Sequence, residues 1–396
     1  MRFMSTRGAE ALSFVEASRL GYPRDGGFFV PEAGTDLRST VYAPTADFMD
    51  FVSLAAAELL PEILDPFSAA DLAQAVYGRV PGRHSLGQDI LVFDLASGPS
   101  ASAADYGAAF AAACLKNIPA SPTTIVLASG GARDASALAA AFREEVDAPP
   151  LLLLCAEGRA AKVPAHLLRG QDKIRIVEVR GGLSAAQGLE RAIAAKGSLG
   201  GRNIIPLGAS TPPRLLGRSL LLVGLFSLAR KSLAGDLIVA AFPGDLLGLV
   251  TGLWTWSWGL PVSAFLLPRL PGEAVRIDEI LRSPPPSGAE SGLEFLAAFD
   301  RDFPLGSLVL SATLATAEQG EEVLKDGLVL DYGSTLAVRA ARHSLEAGLS
   351  GHSVVLVPRS SDPAWDISGS RGGLPPSALI DPEVPALEAL LSRLFP

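Results

Sequence analysis

The chain has 396 residues, of which 48% are hydrophobic and 19% are charged. This length predicts two or three domains, and this composition is typical of a folded α/β protein and excludes a disordered chain. The formal net charge is −9 and no stretch gathers Lys or Arg, so the sequence has no electrostatic footprint for a nucleic-acid partner.

Two apolar stretches are candidates for membrane-spanning helices. The stretch 219–229 has 11 residues between two arginines, whereas a membrane-spanning helix needs about 20. The stretch 237–267 is broken by Pro243 and Pro261. Charged residues interrupt the first ten positions, which therefore lack the apolar core of a signal peptide. We predict no membrane span and a cytoplasmic protein.

The cysteines and histidines offer no metal-ligand spacing. Cys114 and Cys155 lie in separate apolar runs, which predicts two buried thiols in a reducing compartment. The four histidines are scattered along the chain, so a metal site is not predicted.

The first 82 residues predict a small mixed unit. A glycine turn at 25–27 leads into a short strand at 28–30, and apolar residues at helical spacing predict helices at 47–60 and 69–77.

Strands and helices then alternate. This alternation predicts two three-layer α/β/α domains with mainly parallel sheets, one at 83–205 and one at 206–396. The continuous apolar runs 151–154 and 354–357 are typical of strands buried on both faces. Further predicted strands cover 90–93, 124–128, 174–179 and 204–207, and predicted helices include 105–115, 134–145 and 384–395.

Two segments read as a strand that runs into a glycine turn and then a helix, namely 125–131 and 238–245. The backbone N–H groups of such a turn can hold an anion at the helix N-terminus. Neither segment contains GxGxxG or a P-loop lysine, so dinucleotide or ATP binding is weakly supported. Taken alone, such a turn more often has a purely structural role and binds no ligand.

The N-terminal motifs resemble the opening of bacterial threonine synthases. Those enzymes have an STRG stretch, an SF-x-EA helix and a DGGLFVPE turn, and this chain has similar segments in the same order at 3–8, 12–17 and 25–31. The resemblance implies a fold-type II pyridoxal-phosphate (tryptophan synthase β-like) architecture. It also implies a threonine-synthase-type N-terminal subdomain at 1–82, a small cofactor-type domain at 83–205 and a large domain at 206–396.

Weaker similarity continues along most of the chain. Segment 98–107 is similar to the family's GPTxxFKDFG stretch, and 128–131 is similar to its SGDTG loop region. Arg214 resembles the arginine that ends the NSINxxRLL segment, 244–248 stands where the family has GNFGD, and 331–334 stands where a DPHT-like stretch is expected.

The similarity fails at the residues that carry the family's chemistry. The lysine that holds pyridoxal phosphate as an imine falls on Ala104, and a methyl group can form no imine. The asparagine of the cofactor-phosphate loop is Asp245, whose carboxylate would repel a phosphate. The SGDTG threonine is Asp134, and the histidine of the DPHT stretch is Gly333. Of the strongly polar residues in the family's motifs, only Arg214 is retained in this chain.

These departures predict a threonine synthase-like protein with a degenerate active site. We expect no covalent cofactor, no conversion of O-phosphohomoserine to threonine, and a role in binding a small anionic ligand or a protein partner. The candidate residues are of two kinds. The remains of a cofactor site would be Ser129, Gly130, Gly131, Gly244, Asp245 and Gly248, and an anion would meet Ser210, Thr211 and Arg214.

Two alternative functions stay open. An active lyase would need a lysine from elsewhere, and Lys116, Lys162 and Lys231 are the nearest in sequence. A small-anion sensor would use the turn 129–131 together with Arg214. On general grounds, however, an arginine such as Arg214 is more often a surface charge at a helix end.

Overall fold

The protein is represented by a computed structural model. The structure describes residues 1–8, 11–42, 47–95, 97–145, 147–231, 236–241, 245–269, 277–282, 290–313, 332–348, 352–356 and 375–395.

Strands and helices follow one another along the described ranges of the chain. The strands are β1 (Arg2–Ser5), β2 (Leu12–Ser13), β3 (Phe29–Pro31), β4 (Gly82–Leu86), β5 (Ile90–Asp94), β6 (Ile125–Gly130), β7 (Leu151–Ala156), β8 (Ile174–Val179), β9 (Ser198–Leu199), β10 (Arg202–Pro206), β11 (Asp236–Ala240), β12 (Val262–Arg269), β13 (Val309–Thr313), β14 (His352–Leu356) and β15 (Ala378–Ile380). The helices are α1 (Phe14–Leu20), α2 (Arg38–Val41), α3 (Phe48–Leu59), α4 (Pro66–Tyr77), α5 (Ala104–Cys114), α6 (Ala132–Glu144), α7 (Ala165–Leu168), α8 (Gly182–Lys196), α9 (Pro212–Arg230), α10 (Leu246–Ser257), α11 (Ile277–Arg282), α12 (Glu290–Asp302), α13 (Leu305–Leu308), α14 (Tyr332–Glu346) and α15 (Val384–Leu394).

The chain forms two compact units. Unit 1 comprises Met1–Glu32, Ala104–Gly217 and Ala364–Pro396, and unit 2 comprises Ala33–Ala103 and Arg218–Pro363. Each unit is assembled from separate stretches of the chain, whereas the sequence boundaries 1–82, 83–205 and 206–396 were contiguous. The difference arises because strand pairing, which defines a unit, joins segments that are distant in sequence.

Unit 1 contains a small antiparallel sheet near the N-terminus. Its strand order is β2-β1-β3, and α1 follows β2 directly. The start of α1 is set by a capping box in which the Ser13 hydroxyl accepts from the Glu16 N–H and the Glu16 carboxylate accepts from the Ser13 N–H. The predicted strand at 28–30 is confirmed as β3, displaced by one residue.

The main sheet of unit 1 has the order β15-β8-β7-β6-β10-β9. All neighbouring strands are parallel except β9, which is antiparallel to β10. Alternate residues of a strand point to opposite faces. Accordingly, Leu151 and Leu153 of β7 pack with the α5 and α6 side chains, while Leu152 and Leu154 pack with α8 and α15. This is the predicted α/β/α layering, and the run 151–154 is buried on both faces as predicted.

Unit 2 has a second six-stranded sheet in the order β13-β12-β11-β14-β5-β4. Its strands are parallel except for the β4–β5 hairpin. The helices predicted at 47–60 and 69–77 are confirmed as α3 and α4, and each begins at an aspartate N-cap, Asp47 or Asp65. The side chains of the run 354–357 are outside the described set.

The apolar stretch 219–229 lies within α9, as predicted for a core helix. Leu220, Leu221 and Leu225 are buried, and Leu222 and Leu228 are half-buried. No helix in the described ranges of the chain is both long enough and apolar enough to cross a bilayer.

Candidate functional site

The first residue of α5 is Ala104, the position at which the resemblance requires a lysine. Its side chain is half-buried and packs against the apolar cluster between the unit 1 sheet and helices α5 and α6. The following residues, Asp105 and Tyr106, are buried. Position 104 therefore contributes a methyl group to the core and no amine.

The lysines of the described residues lie towards the surface. Lys116 is paired with Glu145 at 3.0 Å, and its side chain is 67% exposed. Lys162 is half-buried, while Lys173, Lys196 and Lys231 are exposed. Lys325 is outside the described residues. Within the described part of the chain, no lysine is buried, as an amine that anchors a cofactor in a closed pocket would be.

The turn at 129–131 joins two elements of unit 1. Strand β6 is buried along its whole length and ends at Gly130, and Gly131 is the N-cap of α6. A Cβ on Gly130 would lie 2.6 Å from the Cβ of Asp134, so this glycine is required by the close approach of the Asp134 side chain. The structure thus forms the predicted strand–turn–helix, and Asp134 fills the space beside it.

A buried carboxylate occupies the hydrogen-bond donors of this turn. Glu190 of α8 is fully buried, and its Oε2 accepts from the Ser129 N–H at 2.9 Å and also from the Ser129 hydroxyl. Its Oε1 accepts from the Gly208 N–H at 2.8 Å. The Tyr22 hydroxyl also bonds to Glu190. Ser129 is therefore committed to a side chain of the protein itself.

Burial dominates the electrostatics of this cluster. It raises the pKa of Glu190, although the donors from Ser129, Gly208 and Tyr22 oppose the shift. Burial and the neighbouring Glu190 charge raise the pKa of Tyr22 well above its usual value. Sequence reasoning missed Glu190. The available signal was its position on the same face of α8 as the buried residues Ala186 and Ile193.

Arg214, the predicted anion-binding residue, is paired inside unit 1. Its side chain is 1% exposed, and its Nη2 lies 2.8 Å from Oδ1 of Asp134 in the first turn of α6. Its Nη1 also donates to the Leu207 carbonyl at 3.4 Å. The general expectation of a surface charge at a helix end is wrong for this residue, because the guanidinium is buried and its charge is balanced by Asp134.

The other two predicted anion contacts also serve the fold. The Thr211 hydroxyl donates to the Gly208 carbonyl at 2.8 Å, which closes the turn before α9. The Ser210 side chain hydrogen-bonds to Tyr22. Both residues are buried. The structure thus brings Ser129, Ser210 and Gly208 together around the Glu190–Tyr22 pair.

In unit 2, Asp245 is the N-cap of α10. Its Oδ1 accepts from the Gly248 N–H at 2.9 Å, and its Oδ2 lies 3.1 Å from Nη2 of Arg218. A Cβ on Gly248 would lie 2.7 Å from Asp245 Oδ2, so the glycine makes room for the cap. Sequence reasoning identified Asp245 and Gly248 but did not identify Arg218 as their partner.

Some predicted positions fall where the structure gives little or no description. Gly244 and Asp331 are outside the described residues, as is the segment 360–365. Gly333 lies in the first turn of α14 and is half-buried.

A surface groove of about 560 Å³ lies beside the start of β6, at the opposite end of that strand from the 129–131 turn. Its walls include Arg19 and Arg24, which are exposed and form no ion pair with a described residue. Asn203 donates to the Ser121 hydroxyl at 2.8 Å on the same wall. The exposed carboxylate of Glu16 also lines the groove, which therefore offers charges of both signs and hydrogen-bonding groups beside apolar surface.

Among the residues that the structure describes, neither the cysteines nor any acidic cluster suggests a metal site or a nucleophile. Cys114 and Cys155 are both buried thiols, as predicted. Burial raises the pKa of Cys155 to about 12, and it also raises the pKa of Cys114. Within the described ranges, no group of three or more His, Cys, Asp or Glu residues is arranged to hold a metal ion.

The fold of the chain is that of the threonine synthases. Threonine synthase from Escherichia coli superposes with a TM-score of 0.81 at 18% identity, covering 99% of this chain and 100% of that enzyme. A pyridoxal-phosphate-bound threonine synthase from Brucella melitensis gives 0.72 at 15% identity, covering 100% and 99%. The yeast enzyme gives 0.70 at 15% identity, covering 99% and 98%.

No family model matches the sequence, and no curated protein matches it either. The structural likeness confirms the predicted α/β fold-type II architecture, and at these identities it establishes the fold alone.

Proposed function

We propose that this protein is a threonine synthase-like protein with a degenerate active site. In this proposal it does not hold pyridoxal phosphate covalently and does not convert O-phosphohomoserine to threonine. It acts in the cytoplasm through binding a small anionic ligand or a protein partner. The observation that carries the proposal is Ala104, a methyl group at the start of α5 where the resemblance places the cofactor lysine.

The residues present do not fit the cofactor. Pyridoxal phosphate, which the Brucella melitensis threonine synthase structure contains, is held by lysine-dependent enzymes through an imine to the lysine amine. Ala104 supplies no amine. At the loop where the resemblance places the cofactor phosphate, Asp245 presents a carboxylate. Both the covalent and the electrostatic contributions to cofactor binding are therefore missing from these positions.

An active lyase would require another lysine. Lys116 and Lys231 are exposed and Lys162 is only half-buried, which argues against each of these candidates. Lys116, in addition, is already paired with Glu145.

A ligand-binding role draws support from the groove beside β6. A ligand anion could reach Arg214 only by displacing Asp134, whereas Arg19 and Arg24 are exposed. Thermal-shift measurements with phosphate, threonine and O-phosphohomoserine test this role. A rise in melting temperature that is lost in Arg19→Gln/Arg24→Gln supports a ligand at the groove. A flat response to all three supports the protein-partner role.

The central test is the visible spectrum of the purified protein with equimolar pyridoxal phosphate. We expect no imine band and no change on borohydride treatment. The variant Ala104→Lys is the matched control, since it restores one amine at the first residue of α5. Failure of the well-expressed wild type to complement a threonine auxotroph is the second expected result. An imine band in the wild type, or complementation, would overturn the proposal.

A further inference from the structure

The N-cap of α10 is a carboxylate that is held on two sides. Asp245 accepts from the Gly248 N–H at 2.9 Å and pairs with Arg218 at 3.1 Å. The Arg218 side chain is 12% exposed and that of Asp245 is 23% exposed. The pair is thus largely shielded from solvent. In such an environment the attraction between opposite charges is stronger than it is in water.

The surroundings of this carboxylate favour a negative charge. A helix N-terminus presents N–H groups without intrahelical partners and the positive end of the helix dipole. Arg218 adds a full positive charge, and its Nε is buried without a hydrogen-bond partner among the described residues. Together these are the groups that would hold a phosphate, and Asp245 supplies the anion from within the chain.

We infer that Asp245 acts as an internal anion that closes the α10 N-terminus and Arg218 to phosphate. This inference rests on the proposed function and deepens it, because it makes Asp245 a specificity-determining residue that rejects phosphate groups. A phosphate dianion at this position would lie beside a fixed carboxylate with the same sign of charge, which already accepts from the Gly248 N–H and pairs with Nη2 of Arg218.

A second aspartate N-cap in the chain caps its helix without an arginine paired to it in the described structure. Asp65 begins α4, and its carboxylate accepts from the Phe67 and Ser68 N–H groups at 2.8 and 3.0 Å. It makes no ion pair with a described residue. Asp65 therefore caps a helix of similar length without an arginine, and it provides a matched control for the effect of charge removal.

The experiment is calorimetric titration of inorganic phosphate into the wild type, Asp245→Asn, Asp65→Asn and the double variant Asp245→Asn/Arg218→Gln at constant ionic strength. Asparagine keeps the N-cap acceptor and removes the charge. We expect Asp245→Asn to bind phosphate about tenfold or more tightly than the wild type. We expect no gain in Asp65→Asn, and loss of the gain in the double variant.

Equal phosphate affinity in the wild type and Asp245→Asn, whether measurable or absent in both, would overturn the inference. Circular dichroism checks that each variant is folded. If Asp245→Asn does not fold, Asp245→Ser replaces it, since serine also caps helices. The outcome is independent of the test of the proposed function, because phosphate binding requires no amine and leaves the imine spectrum of the wild type unaffected.

Discussion

The buried Arg214 and the partly exposed Asp134 form an ion pair, with the arginine Nη2 2.8 Å from the aspartate Oδ1. Four residues further along α9, Arg218 pairs with Asp245 at 3.1 Å. Each aspartate stands at the start of a helix, α6 or α10. Arg214 and Arg218 of α9 are thus each paired with a carboxylate of the chain.

Removing the Asp134 charge should destabilise the protein. In Asp134→Asn the buried Arg214 guanidinium loses the carboxylate that lies 2.8 Å away, so we expect a loss of about 3 kcal/mol in the free energy of unfolding. Asp278→Asn is the control, because Asp278 pairs with an Arg282 side chain that is 79% exposed. That change should cost about 0–1 kcal/mol. Denaturant unfolding measures both, and equal losses would refute the structural role of the pair.

Glu190 should make stability depend on pH. Because burial raises its pKa above the usual value of 4.5, the folded state holds this proton more tightly than the unfolded state. The stabilisation is fully present below pH 4.5 and is lost as pH rises through the folded-state pKa. Glu190→Gln does not titrate, so the difference in unfolding free energy between the wild type and this variant should shrink as pH rises from 4.5 through the folded-state pKa of Glu190.

Glu16→Gln is a control, because the contribution of Glu16 to stability should change with pH in the opposite direction to that of Glu190. Hydrogen bonds from Ser13 lower the pKa of Glu16, so its contribution is present above its usual pKa and is lost as pH falls through the folded-state value. A pH-independent difference for Glu190→Gln would show that this carboxylate does not titrate as the buried environment requires.

Close helix packing in unit 1 depends on Gly217. A Cβ there would lie 2.6 Å from the Phe110 Cβ and 3.0 Å from the Gly107 Cα in α5. Gly217→Ala should therefore cost about 1–3 kcal/mol through overpacking. Gly188 in α8 has no atom within 4 Å of the corresponding position, so Gly188→Ala should stabilise by about 0.5–1 kcal/mol. Melting temperatures that move in the same direction for both variants would contradict this packing.

Both thiols should be unreactive in the native protein. Cys114 and Cys155 are buried, and burial raises the pKa of each. We expect an aromatic disulfide reagent to modify neither thiol until denaturant is added, and then to modify both. Stoichiometric modification under native conditions would show that at least one thiolate is accessible, which would reopen a nucleophilic role.

Much of the local structure could be predicted from the sequence. The run 151–154 predicted a doubly buried strand because all its residues are apolar, and the helical spacing of the apolar residues in 47–60 predicted α3. The strand–turn–helix at 125–131 was likewise visible from its glycines. Such features depend on neighbouring residues alone.

The division into units and the ion pairs depend on distant residues. Strand β15 pairs with β8 and β14 pairs with β5 across long stretches of chain, and periodicity does not encode which strands become neighbours. The same limitation hid the partners of Arg214 and Arg218. Asp134 and Asp245 were recognised as departures from the family pattern, but only the fold reveals that each faces an arginine of α9.

The absence of a covalently held cofactor is tested most directly by intact-mass spectrometry after borohydride reduction with equimolar pyridoxal phosphate. We expect the wild type to keep its unmodified mass and Ala104→Lys to serve as the reference for a single adduct. One stoichiometric phosphopyridoxyl group on a single lysine of the wild type would contradict the account.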